Sequence, residues 1–230
     1  MKESLLKYAT SSKKQETPYA DAGPIITISR EFGCPSIPVA YALCDALNKE
    51  MIDNGQEPKW RVLTKEILDE TANRLKTPTK DIEYIFDSSY AGVLKEILAS
   101  FSKKYYDLDQ KIRQTLVQVV NGFASEGYVI LVGRAGVAIT RDIPRSLHLR
   151  LIAPISWRME KLSAKFDWAE TEAKRNIIDF DKKRENLRSA FRGERSDDSL
   201  FDLILNCMTL SQDEIVNLIM HQVYEKKFIR

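Results

Sequence analysis

Ile25-Ile26-Thr27-Ile28-Ser29-Arg30-Glu31-Phe32-Gly33 is the stretch on which the fold turns. Its first four residues form a short, apolar, β-branched run behind Gly23-Pro24, the pattern of a strand buried on both faces in a parallel sheet. A polar turn follows. Then Val39, Ala42, Leu43, Ala46, Leu47 and Met51 recur three or four apart, the spacing of an amphipathic helix. Strand, turn and helix in this order make the opening unit of a parallel α/β sheet.

Further runs of strand length lie at 129–132, 147–152 and 200–205, and a weaker one at 60–63 precedes a helical segment over 66–75. Five strands separated by helices predict a parallel sheet covered on both faces, with the strand at Ile25 central and parallel to those at Val129, Leu147 and Leu200. Residues 1–24 are polar apart from Leu5, Leu6 and Tyr8 and read as a flexible tail; residues 25–230 read as one domain. Two helical additions interrupt that domain. One spans about 78–126, opened by Thr77 as N-cap and Pro78 as first helical residue, with Ile82, Ile85, Phe86, Val93, Leu94, Ile97 and Leu98 in helical register. The other is a hairpin over about 156–192, broken at Phe166-Asp167-Trp168.

The chain carries 35 Lys and Arg against 33 Asp and Glu, which gives neither nucleic acid nor an acidic membrane a basic surface to bind. Residues 141–195 nevertheless hold fourteen basic and nine acidic side chains, so positive charge gathers in and around the hairpin. Cys34, Cys44 and Cys207 lack paired metal-binding spacing, and His148 and His221 are the only histidines; no metal ligands are assigned. No run of eighteen apolar residues exists, and a reducing cytoplasm with free thiols is the expected setting.

Ligands of open α/β sheets lie beyond the carboxyl ends of the strands. After the first strand, Gly33 and Ser36 are the residues suited to a phosphate-cradling loop, with Ser29 and Arg30 at its entry. After the third, Gly133 and Gly136 permit a sharp turn around Arg134, whose planar fork of donors matches phosphate oxygens. In the hairpin, Asp181, Arg184 and Arg188 stand at i, i+3 and i+7, on one helical face. His148, between Leu147 and Leu149, reads as a hydrogen-bonded structural histidine. Cys34 would react readily if exposed at a helix N-terminus, and Trp157 and Trp168 read as packing residues.

Taken in order, these pieces resemble the cytidylate kinase-like branch of the P-loop nucleoside monophosphate kinases. The matching stretches are Ile26 through Gly33, Lys65-Glu66-Ile67, Val132-Gly133-Arg134, Leu149 through Pro154 with Trp157-Arg158, Asp181 with Arg184, and Phe201 through Asn206 with Leu210. The resemblance implies a three-layer α/β P-loop fold with a five-stranded parallel sheet and a helical lid. It also implies phosphoryl transfer from ATP, with Mg²⁺, to a nucleoside monophosphate. On that likeness Gly33 and its neighbours, Ser29, Arg30 and Ser36, hold donor phosphates, and Gly133-Arg134 faces the acceptor. Arg158 lies against the donor base, and Arg184 and Arg188, oriented by Asp181, reach the moving phosphoryl group.

The loop departs from the family pattern. Gly33-Cys34-Pro35-Ser36-Ile37-Pro38 stands where a Gly-Ser-Gly-Gly-Arg-like stretch is usual, so two glycines, a basic side chain and two backbone N–H donors are missing. Thr64 replaces an Asp before Lys65-Glu66, and Pro38 offers the metal no hydroxyl. One lost transition-state donor costs about 2.7–4 kcal/mol. Two functions therefore stay open: a working nucleoside monophosphate kinase, and a catalytically impaired nucleotide-binding or regulatory protein on the same fold.

Overall fold

The computed structural model describes residues 22–79, 103–192 and 198–229. Residues 1–21 of the tail expected over 1–24, and residues 80–102 of the insertion expected over about 78–126, lie outside these residues. Five strands alternate with seven helices among them: β1 Ile25–Arg30, α1 Ser36–Asp53, β2 Arg61–Leu63, α2 Glu66–Leu75, α3 Lys103–Glu126, β3 Val129–Val132, α4 Gly136–Thr140, β4 Ser146–Ile152, α5 Ile155–Phe166, α6 Glu170–Arg192, β5 Leu203–Asn206 and α7 Gln212–Glu225.

All pairings are parallel, in the order β2-β3-β1-β4-β5, and Ile25 stands opposite both Val129 and Ser146. The five residues from Ile25 to Ser29 are all buried, as expected of the most apolar and β-branched run at the centre of the sheet. Ile26, Ile28, Ile130, Leu147, Leu149 and Leu151 form one core with Val39, Leu43 and Leu47 of α1 and Ile215 and Ile219 of α7. Ile25, Val129 and Leu131 form the opposite core with Ile67 of α2 and Leu116, Val120 and Ala124 of α3. Three layers follow directly from a sheet that is apolar on both faces.

The start of α7 is fixed by a capping box: Glu214 N–H donates to the Ser211 hydroxyl while the Glu214 carboxylate accepts from Ser211 N–H. The last strand is shorter than its apolar run predicts. Asp198–Leu200 form a 3-10 turn, and Asp202 N–H donates to the His148 carbonyl while its carboxylate accepts from His148 N–H, both at 2.7 Å, so pairing as strand begins only at Leu203. The Thr77 hydroxyl turns back to the Leu75 carbonyl at 3.2 Å, closing α2. No helix among the described residues is long and apolar enough to cross a membrane.

The carboxyl ends of β1, β3, β4 and β5 share one edge, with β3 and β4 flanking β1 on either side. That edge is where an open parallel sheet offers a ligand crevice. The hairpin of α5 and α6 begins there, directly after β4.

Candidate functional site: an arginine-lined crevice at the strand ends

The loop after β1 is held from two sides. Glu31 N–H continues the ladder to the Leu151 carbonyl at 2.9 Å, while the Phe32 amide donates to Asp181 Oδ1 of α6 at 2.7 Å. Cys34 N–H bonds the Glu31 carbonyl, Ser36 N–H the Cys34 carbonyl and Val39 N–H the Pro35 carbonyl. Pro35 and Pro38 have no N–H to give. The sequence thus folds into a loop whose amides are largely satisfied by protein, where a phosphate cradle needs them convergent and open. Ser36 is buried as the first residue of α1, behind Pro35 as an N-cap that makes no side-chain hydrogen bond.

Arg158 of α5 ties the hairpin to this loop. Its guanidinium donates to the carbonyls of Ala153 (2.9 Å) and Phe32 (3.2 Å) and to Asp181 Oδ2 (2.5 Å), and lies 3.4 Å from Glu31 Oε2. Glu31 Oε2 also accepts from Ala153 N–H at 3.0 Å. A guanidinium with four acceptors in fork geometry suits a site this buried. Gly33 makes the close approach possible: at φ +98° it lies so near α5 that a Cβ would stand 3.2 Å from Leu162 Cδ1 and 3.4 Å from Arg158 Cβ. Aromatic contacts complete the clamp. Phe32 stacks on Phe180 with centroids 4.1 Å apart and 10° between planes, Trp168 lies 6.4 Å away, and the Arg184 guanidinium sits 5.4 Å from the Phe32 ring centroid.

Arginines gather at the strand ends beside that clamp. Arg30 closes β1 and crosses to β3, where Gly133 (φ +74°) leaves room for its guanidinium; any Cβ at Gly133 would collide with it. Burial, then the charges of Arg184 and Arg134, lower the Arg30 guanidinium to about 9, a large departure for a group that resists deprotonation. Arg134 and Ala135 follow in the left-handed region at φ 55° and 56°, a conformation that costs non-glycine residues about 1–2 kcal/mol each. Strain of this kind gathers at ligand loops. Arg184 donates to the Arg30 carbonyl at 3.4 Å and lies 3.9 Å from Asp181; its guanidinium is also lowered, mainly by burial. Arg188 is lowered by burial and then by Arg150, which itself bridges Glu31 at 3.8 Å and pairs with Asp198.

Asp181 and Arg184 therefore turn toward the β1 loop, and Arg188, on the same face of α6, lies near Arg150 of β4. Arg30, Gly133, Arg134 and Ser29 gather at the ends of β1 and β3, and Gly33 and Ser36 lie in the loop between. Sequence reasoning missed Glu31, Phe32, Phe180 and Arg150. They carry no spacing signal, since their contacts join β1 to segments more than a hundred residues away. Cys34 is buried, so the exposure on which its reactivity was conditional is not met; its hydrogen bond to Cys207, followed by burial, pushes its thiol above the usual range. Trp168 stacks on Phe166 and Phe32, and Trp157 packs at the edge of the α1 and α7 core.

A solved protein from Eubacterium ventriosum, of uncharacterized function, superposes with a TM-score of 0.61 at 18% identity, covering 88% of this chain and 98% of that one. Shikimate kinase from Acinetobacter baumannii, solved with shikimate, covers 90% and 96% with a TM-score of 0.49 and 14% identity. A curated uronate isomerase from Corynebacterium glutamicum is 25% identical over 117 residues, half of this chain; the chain spans only 22% of that relative's length. The model of the cytidylate kinase-like family matches residues 25–209, from the first residue of β1 past the end of β5. With the match covering most of the sheet, the loop and the hairpin, the chain belongs to the cytidylate kinase-like family.

Proposed function

We propose that the protein transfers the γ-phosphoryl group of ATP to a nucleoside monophosphate, and that arginines, rather than loop amides, hold the phosphates. The observation that carries this reading is the convergence of Arg30, Arg134 and Arg184: the Arg30 guanidinium fills the space over Gly133, directly before Arg134, and Arg184 donates to the Arg30 carbonyl at 3.4 Å. Like charges held together in a partly dry crevice cost free energy unless an anion relieves them. An acceptor phosphate oxygen attacks the γ-phosphorus, the bond to the β-bridging oxygen breaks, and ADP leaves. Such a transfer asks the protein for positioning and positive charge.

The α5–α6 hairpin acts as the lid. Asp181 holds the Phe32 amide and Arg158, which ties the hairpin to the β1 loop and keeps that amide engaged by protein. ATP phosphates fit the arginine set. Mg²⁺ fits the chain's own groups poorly, because the nearest carboxylates, Glu31 and Asp181, are both engaged by Arg158; it would enter on the nucleotide, and no step is assigned to it. A cytoplasmic setting, where ATP is abundant, accords with this reading.

The satisfied loop amides favour a second reading, nucleotide binding without turnover. Incubation with γ-labelled ATP, Mg²⁺ and each of the common nucleoside monophosphates separates them. Labelled diphosphate from at least one acceptor supports transfer; nucleotide binding without any labelled product supports the binding-only reading.

A further inference from the structure

Both carboxylates beside the β1 loop have all their oxygens engaged. Glu31 Oε2 accepts from Ala153 N–H at 3.0 Å and lies 3.4 Å from Arg158, and its Oε1 lies 3.8 Å from Arg150. Asp181 Oδ1 accepts from Phe32 N–H at 2.7 Å and lies 3.9 Å from Arg184, while Oδ2 accepts from Arg158 at 2.5 Å. A magnesium ion demands an octahedron of oxygens at about 2.1 Å, so either carboxylate would first have to give up a guanidinium or an amide. Pro38 brings no hydroxyl to the first turn of α1, and Ser36 beside it is buried.

Arg30 is in the opposite condition. Its guanidinium lies over Gly133, and the charges that act on it come from Arg184 and Arg134, both of its own sign. The ion pairs of this region tie Arg150, Arg158 and Arg184 to Glu31 and Asp181; among the described residues none includes Arg30. None of its guanidinium nitrogens is sealed from solvent without a hydrogen bond, and none makes one among the described residues, so this half-buried side chain keeps its donors open to a ligand. An open fork of donors set among like charges is complementary to an anion of high charge.

Magnesium and guanidinium groups compete for the same phosphate oxygens. The metal cancels much of a triphosphate's charge and keeps several waters, which Arg30 and Arg184 would then face in place of oxygens; the bare anion meets both forks directly. We infer that this crevice takes its triphosphate as the metal-free anion, with the Arg30 guanidinium supplying the charge that magnesium otherwise brings. The inference rests on the phosphate-binding reading of the crevice and adds to it the ionic form of the ligand.

The test titrates ATP calorimetrically into the full chain, once in EDTA and once in excess MgCl₂, at matched ionic strength. Binding about tenfold tighter in EDTA is expected. Arg30→Met should bring the two affinities within about threefold of each other, while Lys49→Met, which removes an exposed charge near the far end of α1, should leave the ratio intact. The comparison in the natural chain holds whether or not Arg30→Met folds. Equal affinity in the two buffers, or tighter binding with magnesium, overturns the inference and leaves the phosphate-binding reading standing. No binding in either buffer overturns both. A ratio unchanged by Arg30→Met, or lowered as much by Lys49→Met, overturns the inference as well, because the preference would then belong to another group or to overall charge.

Discussion

Arg184 concentrates the account at the scale of single residues. Its guanidinium touches the Phe32 ring, the Arg30 carbonyl and the outskirts of Asp181, and its side chain is only 26% exposed. The sequence suggests a solvated charge whose removal would leave stability alone; the packing predicts otherwise. Arg184→Ala should lower nucleotide affinity or turnover by about 10², the scale of one lost charge donor at a reacting phosphate. It should also cost about 1 kcal/mol in urea unfolding, for the lost cation–π and backbone contacts. Unchanged affinity with lowered stability would make Arg184 a strut and nothing more. Asp181→Ala tests the clamp itself. It strips the 7% exposed Arg158 side chain of its closest carboxylate and leaves the Phe32 amide without an acceptor, so a loss of about 2–3 kcal/mol is expected by chemical denaturation. Gly133→Ala adds a Cβ where the Arg30 guanidinium lies and forces a non-glycine residue to φ +74°; it should both destabilise the fold and displace Arg30 from the crevice, read as weaker ATP binding.

At the scale of elements, the hairpin and the β1 loop form one unit. The i, i+3, i+7 row on α6 was legible because helical spacing alone places Asp181, Arg184 and Arg188 together. What they face was not legible, because Phe32 and Asp181 are 149 positions apart and nothing local encodes the stacking of Phe32 on Phe180. The five parallel strands were legible from apolar runs buried on both faces. The start of β5 was not, since Leu200 and Phe201 look like strand residues until the Asp202 carboxylate is seen to cap the edge beside His148. The loop's poverty in phosphate donors was legible from Pro35 and Pro38 as missing amides; its closure by Asp181 was not. Pro35→Gly with Ile37→Lys returns one amide and one charge to this loop, and calorimetry should show tighter ATP binding than in the natural chain. Equal or weaker binding would mean that donor phosphates do not approach this loop.

Across the whole molecule, the sheet separates two chemistries: guanidinium groups at the carboxyl ends of the strands and a neutral, buried imidazole on the other side of its length. His148 also sets a pH dependence. Its pKa of about 4 in the folded chain lies below the ordinary 6.5, so between these values the unfolded chain binds the extra proton. Stability from this group is therefore complete above pH 6.5 and is lost as pH falls toward 4, by about 3 kcal/mol in all. Denaturation midpoints at pH 7 and 4.5 should differ less in His148→Gln than in the natural protein; equal differences would show that other groups control acid unfolding. The central claim, that arginines hold the nucleotide phosphates at the strand ends, is tested most directly by titrating ATP into the natural protein, Arg134→Ala and Arg184→Ala at low and high salt. The account predicts that each substitution weakens binding about tenfold or more and flattens its salt dependence, because each removes a charge paired with phosphate. ATP binding of equal strength in all three proteins, with the same salt dependence, would contradict it.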